Sequence, residues 1–202
     1  MTDNNSKEKI MKAASELFYF NGFKGTSIRS ITERAGVNVS LISYYFKNKQ
    51  GLLEYLTTSY FEGYLQLLDQ LIDESTTVHE KSKLMAIIEE IIQYKYDYFQ
   101  FTCFIQRELS LDNIFIRELF ATYVAKETYQ LKMLTEHMTK GKNLNEIEKE
   151  ALYLQLKSLI HAPFTYANDW QRHYKWNNSE EAFIKAYIKV LEMWFDEVEN
   201  RG

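Results

Sequence analysis

LFYFNGFKGTSIRSITERAGVNVSLISYYFKNKQGLLEYL, residues 17–56, holds three helix stops within forty residues. Asn21-Gly22 ends a helix that begins near Ser6 and carries Ile10, Ala13, Ala14, Leu17 and Phe18 at helical spacing. Thr26 is expected to cap a short helix with Ile28, Ile31 and Ala35 on one face. Gly36 ends it, because glycine adopts the left-handed conformation at no steric cost. Asn38 is expected to cap the next helix, through Val39, Ile42, Tyr45 and Phe46. Asn48 caps a fourth, which runs on through Leu52, Leu53, Leu56 and beyond Leu71.

Two short helices around a glycine turn form a helix-turn-helix, whose second helix fits a major groove about 12 Å wide. The residues around the turn suit double-stranded DNA. Thr26 and Ser27 place hydroxyls and N–H groups at a helix start, which favours a phosphate, although Thr26 also reads as a plain cap. Lys49 sits in the first turn of a helix, against the dipole, and a phosphate there explains it. Tyr44 and Tyr45 offer hydroxyls to phosphates or bases. Asn38, Val39, Ser40 and Ser43 are small enough for the groove floor, and Phe46 reads as core.

Outward from this stretch the chain changes character. Of seven glycines in 202 residues, four precede residue 52, and Pro163 is the one proline. Long helices follow, expected near 78–101, 113–138, 145–173 and 180–199, with separators at Ser75-Thr76-Thr77, Leu111-Asp112, 141–143 and 177–179 and room for a short break near Phe101–Cys103. The expected class is all-α: a tri-helical DNA-binding head over 1–47 and a helical-bundle dimerisation body over 48–202. The net charge of -4 hides an asymmetry. Residues 1–50 hold eight Lys or Arg against four Asp or Glu, and the remainder sixteen against twenty-four. A basic head can meet DNA while an acidic body is repelled.

Other classes find little support. Cys103 is alone, so no internal disulfide forms and a reducing cytoplasm is expected. The scattered His79, His137, His161 and His173 lack metal-ligand spacing. No nucleophile–base pair or phosphate-cradling glycine loop stands out, so neither an enzyme nor a cofactor is expected. No apolar run is long enough to span a membrane.

In the body, Leu152, Leu156 and Leu159 precede Pro163, and Phe183, Tyr187, Val190 and Trp194 form an apolar face on the last helix. Two such helices from each subunit make a four-helix homodimer interface or, alternatively, an internal core. The aromatic residues Tyr94, Tyr96, Tyr98, Phe99, Phe101, Phe104, Phe120, Tyr123, Tyr129, Phe164, Tyr166 and Trp170 read either as ordinary core or as a pocket for a small-molecule effector. Arg107-Glu108 and Arg117-Glu118 read either as surface ion pairs or as a partner-binding face.

The stretch 17–56 resembles the N-terminal domain of the TetR family of transcriptional regulators. Its carriers are the aromatic-glycine-threonine entry, the glycine turn, and the aromatic pair followed by Phe46, Lys47, Asn48 and Lys49. The resemblance implies a nucleoid-associated dimer on an inverted-repeat DNA site. It implies DNA contacts at Thr26, Ser40, Tyr44, Tyr45 and Lys49. Val39 and Ser43 depart from the lysine and tyrosine common there, which leaves the operator sequence open. RELSLDNIFIREL (107–119) and LQLKSLIHAPF (154–164) resemble the RefZ branch. Members of that branch bind DNA near the chromosome origin and act on the division protein FtsZ. The resemblance implies FtsZ as a partner; a small-molecule-responsive repressor is the other output.

Overall fold

The computed structural model describes residues 2–75, 81–110, 114–173 and 180–200. The described elements are all helices: α1 (Thr2–Gly25), α2 (Ile28–Ala35), α3 (Ser40–Phe46), α4 (Lys49–Ser75), α5 (Lys81–Asp97), α6 (Phe99–Ser110), α7 (Ile114–Thr139), α8 (Glu146–Thr165), α9 (Ala167–His173) and α10 (Glu180–Asn200). The fold is all-α. The separators expected at 76–77, 111–112 and 177–179 fall outside the described residues.

Local chemistry sets the breaks. Gly22, at φ 71° and ψ 171°, interrupts the helical backbone of α1 where Asn21-Gly22 is expected to stop it. Two expected long helices are each divided. The helix read over 78–101 ends as α5 at Asp97, and beyond Tyr98 α6 runs from Phe99 to Ser110. Residues 101–105, within α6, are all buried. The stretch read as 145–173 becomes α8 and α9, broken at Tyr166. Pro163 lies inside α8 and has no N–H for the Leu159 carbonyl. The Tyr187 hydroxyl of α10 donates to that carbonyl at 2.6 Å instead. Burial pushes the Tyr187 phenol up to about 12.

The chain forms two compact units, Met1–Gly63 with Tyr98–Thr122, and Tyr64–Asp97 with Tyr123–Gly202. In the first, α1 packs against α2, α3 and α6. Phe18 stacks on Phe104 at 5.4 Å, and Tyr60 meets Phe101 at 5.6 Å. Cys103 is buried there as a packing residue. In the second, α10 lies on α5 and α8. Its core holds an ionic centre. Lys95 Nζ reaches Glu127 Oε1 at 3.1 Å and lies 4.1 Å from the Tyr64 ring, while His161 Nε2 stands 3.5 Å from the same carboxylate oxygen.

Several sequence expectations for the body need correction. Leu152 and Leu156 are buried within the subunit, so they cannot form an interface. The leucines at these positions face the core, and the outward side of α8 carries Leu154 and half-buried Leu159 instead. Val190 is exposed and Trp194 half-buried, and with Leu154, Gln155 and Ser158 the Leu159 and Trp194 side chains line a cavity of about 350 Å³. Phe183 stacks at 4.0 Å on Trp170 of its own chain. The aromatic residues do not make one cluster. Phe99, Phe101, Phe104 and Phe120 belong to the first unit, whereas Tyr94, Phe164 and Trp170 belong to the second. Tyr98, Tyr129 and Tyr166 are exposed.

Candidate nucleic-acid interface

The interface is built on α2 and α3. Ser27, in extended backbone, is the N-cap of α2; its hydroxyl accepts from Ser30 N at 3.0 Å, and Ser30 Oγ accepts from Ser27 N at 3.1 Å. This reciprocal box fixes the helix start and leaves Ser27 exposed. The first N–H groups of α2 have no intrahelical partner and carry the positive end of the helix dipole. Gly36, at φ 65° and ψ 39°, ends α2, and its N–H bonds back to Glu33 and Thr32 carbonyls. Val37 N closes on Thr32 O at 3.0 Å. Asn38 Oδ1 then accepts from Ser40 N at 2.9 Å and from Ser40 Oγ at 2.8 Å, which starts α3 as the sequence predicts.

Only seven residues long, α3 has two sharply different sides. Ile42 and Phe46 are buried against the head. Val39, Ser40, Ser43 and Tyr44 are exposed and pair at spacings of three and four (39/43, 40/43, 40/44), so they share one face, with exposed Asn38 just before it. Tyr44 is 71% exposed and Val39 55%, values too high for core residues in a folded head. Tyr45 is half-buried, and its ring packs edge-on to Tyr44 at 4.8 Å. The stripe offers two serine hydroxyls, a phenol, an amide and one apolar side chain. These are donors and acceptors for base edges and phosphates, with Val39 suited to a thymine methyl.

Thr26 and Lys49 behave differently from expectation. Thr26 is not the cap of α2; it is buried, and its hydroxyl is shared between the carbonyls of Gly22 at 2.8 Å and Leu17 at 3.0 Å. Its side chain stitches the end of α1. Lys49 Nζ donates to Phe23 O at 2.8 Å and Thr26 O at 2.7 Å and sits 4.5 Å from the Phe23 ring. Burial pushes this amine below its ordinary value. Backbone carbonyls therefore account for a cation at the start of α4, and no phosphate is required to explain it.

The head is braced from several sides. Arg34 makes a two-pronged ion pair with Glu16, tying α2 to α1. Lys7 Nζ lies 4.0 Å from the Tyr55 ring, tying the start of α1 to α4. Arg107 of α6 donates from Nη1 to Tyr19 O and from Nη2 to Phe18 O, both at 2.8 Å. Glu108 is buried beside Gly22. Arg107 is thus a strut for α1, with Glu108 beside it, which favours the ion-pair reading of these two residues over the partner-surface one. Arg117 and Glu118 are exposed. Sequence reasoning missed Gly51, where a Cβ would meet Phe46 O at 2.1 Å. It also missed Lys47, whose φ is +68°. Nothing in residue type marks either one. No group of residues suited to a metal ion occurs among the described residues, and no described helix is long and apolar enough to cross a membrane.

Comparison with known proteins agrees with this geometry. Residues 10–56 match the family described as "Bacterial regulatory proteins, tetR family". The "Probable HTH-type transcriptional regulator YttP" of Bacillus subtilis is 34% identical over 197 residues, covering 98% of this chain and 95% of that protein. RutR of Escherichia coli, an HTH-type transcriptional regulator, is 33% identical over 89 residues, 44% of this chain and 39% of its own. The TetR family regulator PfmR of Thermus thermophilus has the same fold, with a TM-score of 0.68 at 13% identity over 94% of this chain and 92% of that one. FadR of Bacillus halodurans, a fatty acid degradation regulator, superposes with a TM-score of 0.67 at 18% identity, covering 93% and 94%. With a near-full-length relative on one side and a helix-turn-helix of matching geometry on the other, the chain belongs to the TetR family of bacterial transcriptional regulators.

Proposed function

We propose that this DNA-binding regulator acts as a homodimer on an inverted-repeat site, reading base edges with Asn38, Val39, Ser40, Ser43 and Tyr44. Ser27 and the start of α2 meet a phosphate. The single observation that carries the reading is the exposed polar stripe of α3 opposite its buried Ile42 and Phe46. Residues 1–47 serve as head and 48–202 as body. Dimerisation is supported by apolar surface on α8 and α10, where Leu154, Val190 and Met193 are all more than half exposed. Two linked heads make the second contact intramolecular, which an acidic body needs to reach useful affinity. The Tyr44→Ala variant should fold normally and lose about 1–3 kcal/mol of specific binding, with mixed-sequence binding less affected. A duplex titration measures both, and unchanged specific binding would remove Tyr44 from the interface.

The output we favour is cell division through FtsZ, in the cytoplasm and at the nucleoid. It rests on the resemblance of 107–119 and 154–164 to the RefZ branch. Arg117 and Glu118 are the exposed members of the paired charges and therefore the surface to test. A second reading is a repressor released by a small-molecule effector. The buried Lys95–Glu127–His161 centre favours it, since polar groups in an apolar core can orient such a ligand. Genome-wide crosslinking to DNA separates the two. Origin-proximal sites support division, and promoter sites support repression.

A further inference from the structure

Four of the eight lysines and arginines in residues 1–50 are engaged. Lys49 is spent on backbone carbonyls, Arg34 on Glu16, Arg29 on Glu33, and Lys7 on the Tyr55 ring. Lys47 is different. It is exposed, directly follows α3, and among the described residues makes no side-chain hydrogen bond or ion pair that would explain it.

Its backbone is also unusual. Lys47 has φ 68° and ψ −53°, and Asn48 N bonds Phe46 O at 2.8 Å, so Lys47 is the centre of a positive-φ γ-turn. Among the described residues the other positive-φ positions are Gly22, Gly36 and Gly141. Here alone a side chain occupies a conformation that glycine takes freely. The turn itself has a structural cause. Asn48 Oδ1 accepts from Gly51 N at 2.9 Å, and Gly51 packs with its missing Cβ against Phe46 O, so α4 begins immediately against the end of α3. That explains the tight turn. It does not explain a lysine in it, because glycine would serve the same turn with less strain.

Position supplies the explanation. Lys47 N bonds Ser43 O at 3.2 Å, which closes the last turn of α3 and puts the Lys47 Cα one helical turn beyond Ser43 and Tyr44. Both of those lie on the exposed stripe. A cation at that end of a helix lying in a groove stands where the groove wall rises, and it also complements the negative end of the helix dipole. We infer that Lys47 is a DNA-backbone contact of this protein, held at the edge of the groove by the strained turn, and that it contributes to neutralising phosphate charge. The inference rests on α3 being the recognition helix.

The test uses the full-length protein, a duplex selected by the wild type from random sequence, and a mixed-sequence duplex, each titrated across salt concentration. Lys47→Gln keeps the strained residue and removes the charge. It should weaken both duplexes alike, on the order of fivefold, and lower the slope of log affinity against log salt by about 0.9. Lys47→Gly should show the same loss while melting no lower than the wild type. Lys47→Arg should retain binding. The melt of the glycine variant keeps the outcome separate from folding. An unchanged salt slope in folded Lys47→Gln, with Tyr44→Ala still weakening the selected duplex, overturns the inference and leaves the recognition helix standing. If neither variant changes binding, the DNA reading of α3 fails and the inference fails with it.

Discussion

Among the glycines of the head, Gly51 has the least room. A methyl group there would sit 2.1 Å from the Phe46 carbonyl oxygen, a backbone atom that cannot swing aside. Gly51→Ala should therefore force the start of α4 away from α3 and cost about 1–3 kcal/mol or more. A thermal melt gives the loss, and a variant as stable as the wild type would show that the junction can relax. Gly51 illustrates why some of the site was illegible. A glycine chosen for a close approach looks like any other glycine until the approaching atom is known. Thr26 and Lys49 failed for a related reason. Their residue types suit phosphate, but each finds backbone carbonyls left open at the end of α1, and a buried carbonyl needs a donor as much as a phosphate does. Ser40, Ser43 and Tyr44 were legible because the exposed side of a short amphipathic helix follows from its spacing alone.

Helices whose ends carry their own chemistry were read well: Gly22 and Gly36 as stops, Asn38 and Asn48 as caps. Breaks that depend on packing were read poorly. The α8–α9 division follows Pro163, whose missing bond to Leu159 is made good by Tyr187 on another helix. The same long-range logic governs Arg107. Its two 2.8 Å bonds satisfy the carbonyls of Phe18 and Tyr19, which lie where α1 approaches its kink at Gly22. Arg107→Ala should leave both carbonyls without this donor and lower stability by about 1–3 kcal/mol. DNA binding should then weaken only in proportion to the loss of folded head. Melting and duplex titration on the same sample decide this. A variant that melts normally but loses a cellular effect would return Arg107 to a partner-binding role.

Over the whole chain, charge is arranged in two ways: a basic first fifty residues on an acidic remainder, and one ionic centre buried inside the second unit. The first arrangement is visible in sequence. The second is not, because Tyr64, Lys95, Glu127 and His161 come from four different helices, α4, α5, α7 and α8. Within the centre, burial alone would raise the Glu127 carboxyl, but the charge of Lys95 and the neighbouring His161 and Tyr64 hold it well below the usual carboxylate range. Burial lowers the His161 imidazole; Glu127 opposes that shift, while Lys95 and Lys157 add to it. Lys95 and Glu127 already cancel, so a proton on His161 would leave a net positive charge in a core that cannot solvate it. In the folded chain His161 binds its proton later than in the unfolded chain as pH falls. Stability is therefore full above the ordinary histidine value of 6.5 and declines below it, until the folded group itself protonates. Glu127 adds nothing in that window, since its contribution is lost only as pH falls below the ordinary carboxylate range. The expected result is a melting temperature that holds from about pH 8 to pH 7 and falls below about pH 6.5, with a slope of at most about 1.4 kcal/mol per pH unit for the single proton. His161→Gln should flatten that decline while leaving the decline at lower pH in place. Because the centre is buried, added salt should not restore stability, as it would if repulsion among exposed charges were the cause. An identical pH profile in the wild type and His161→Gln would place the acid sensitivity elsewhere in the chain.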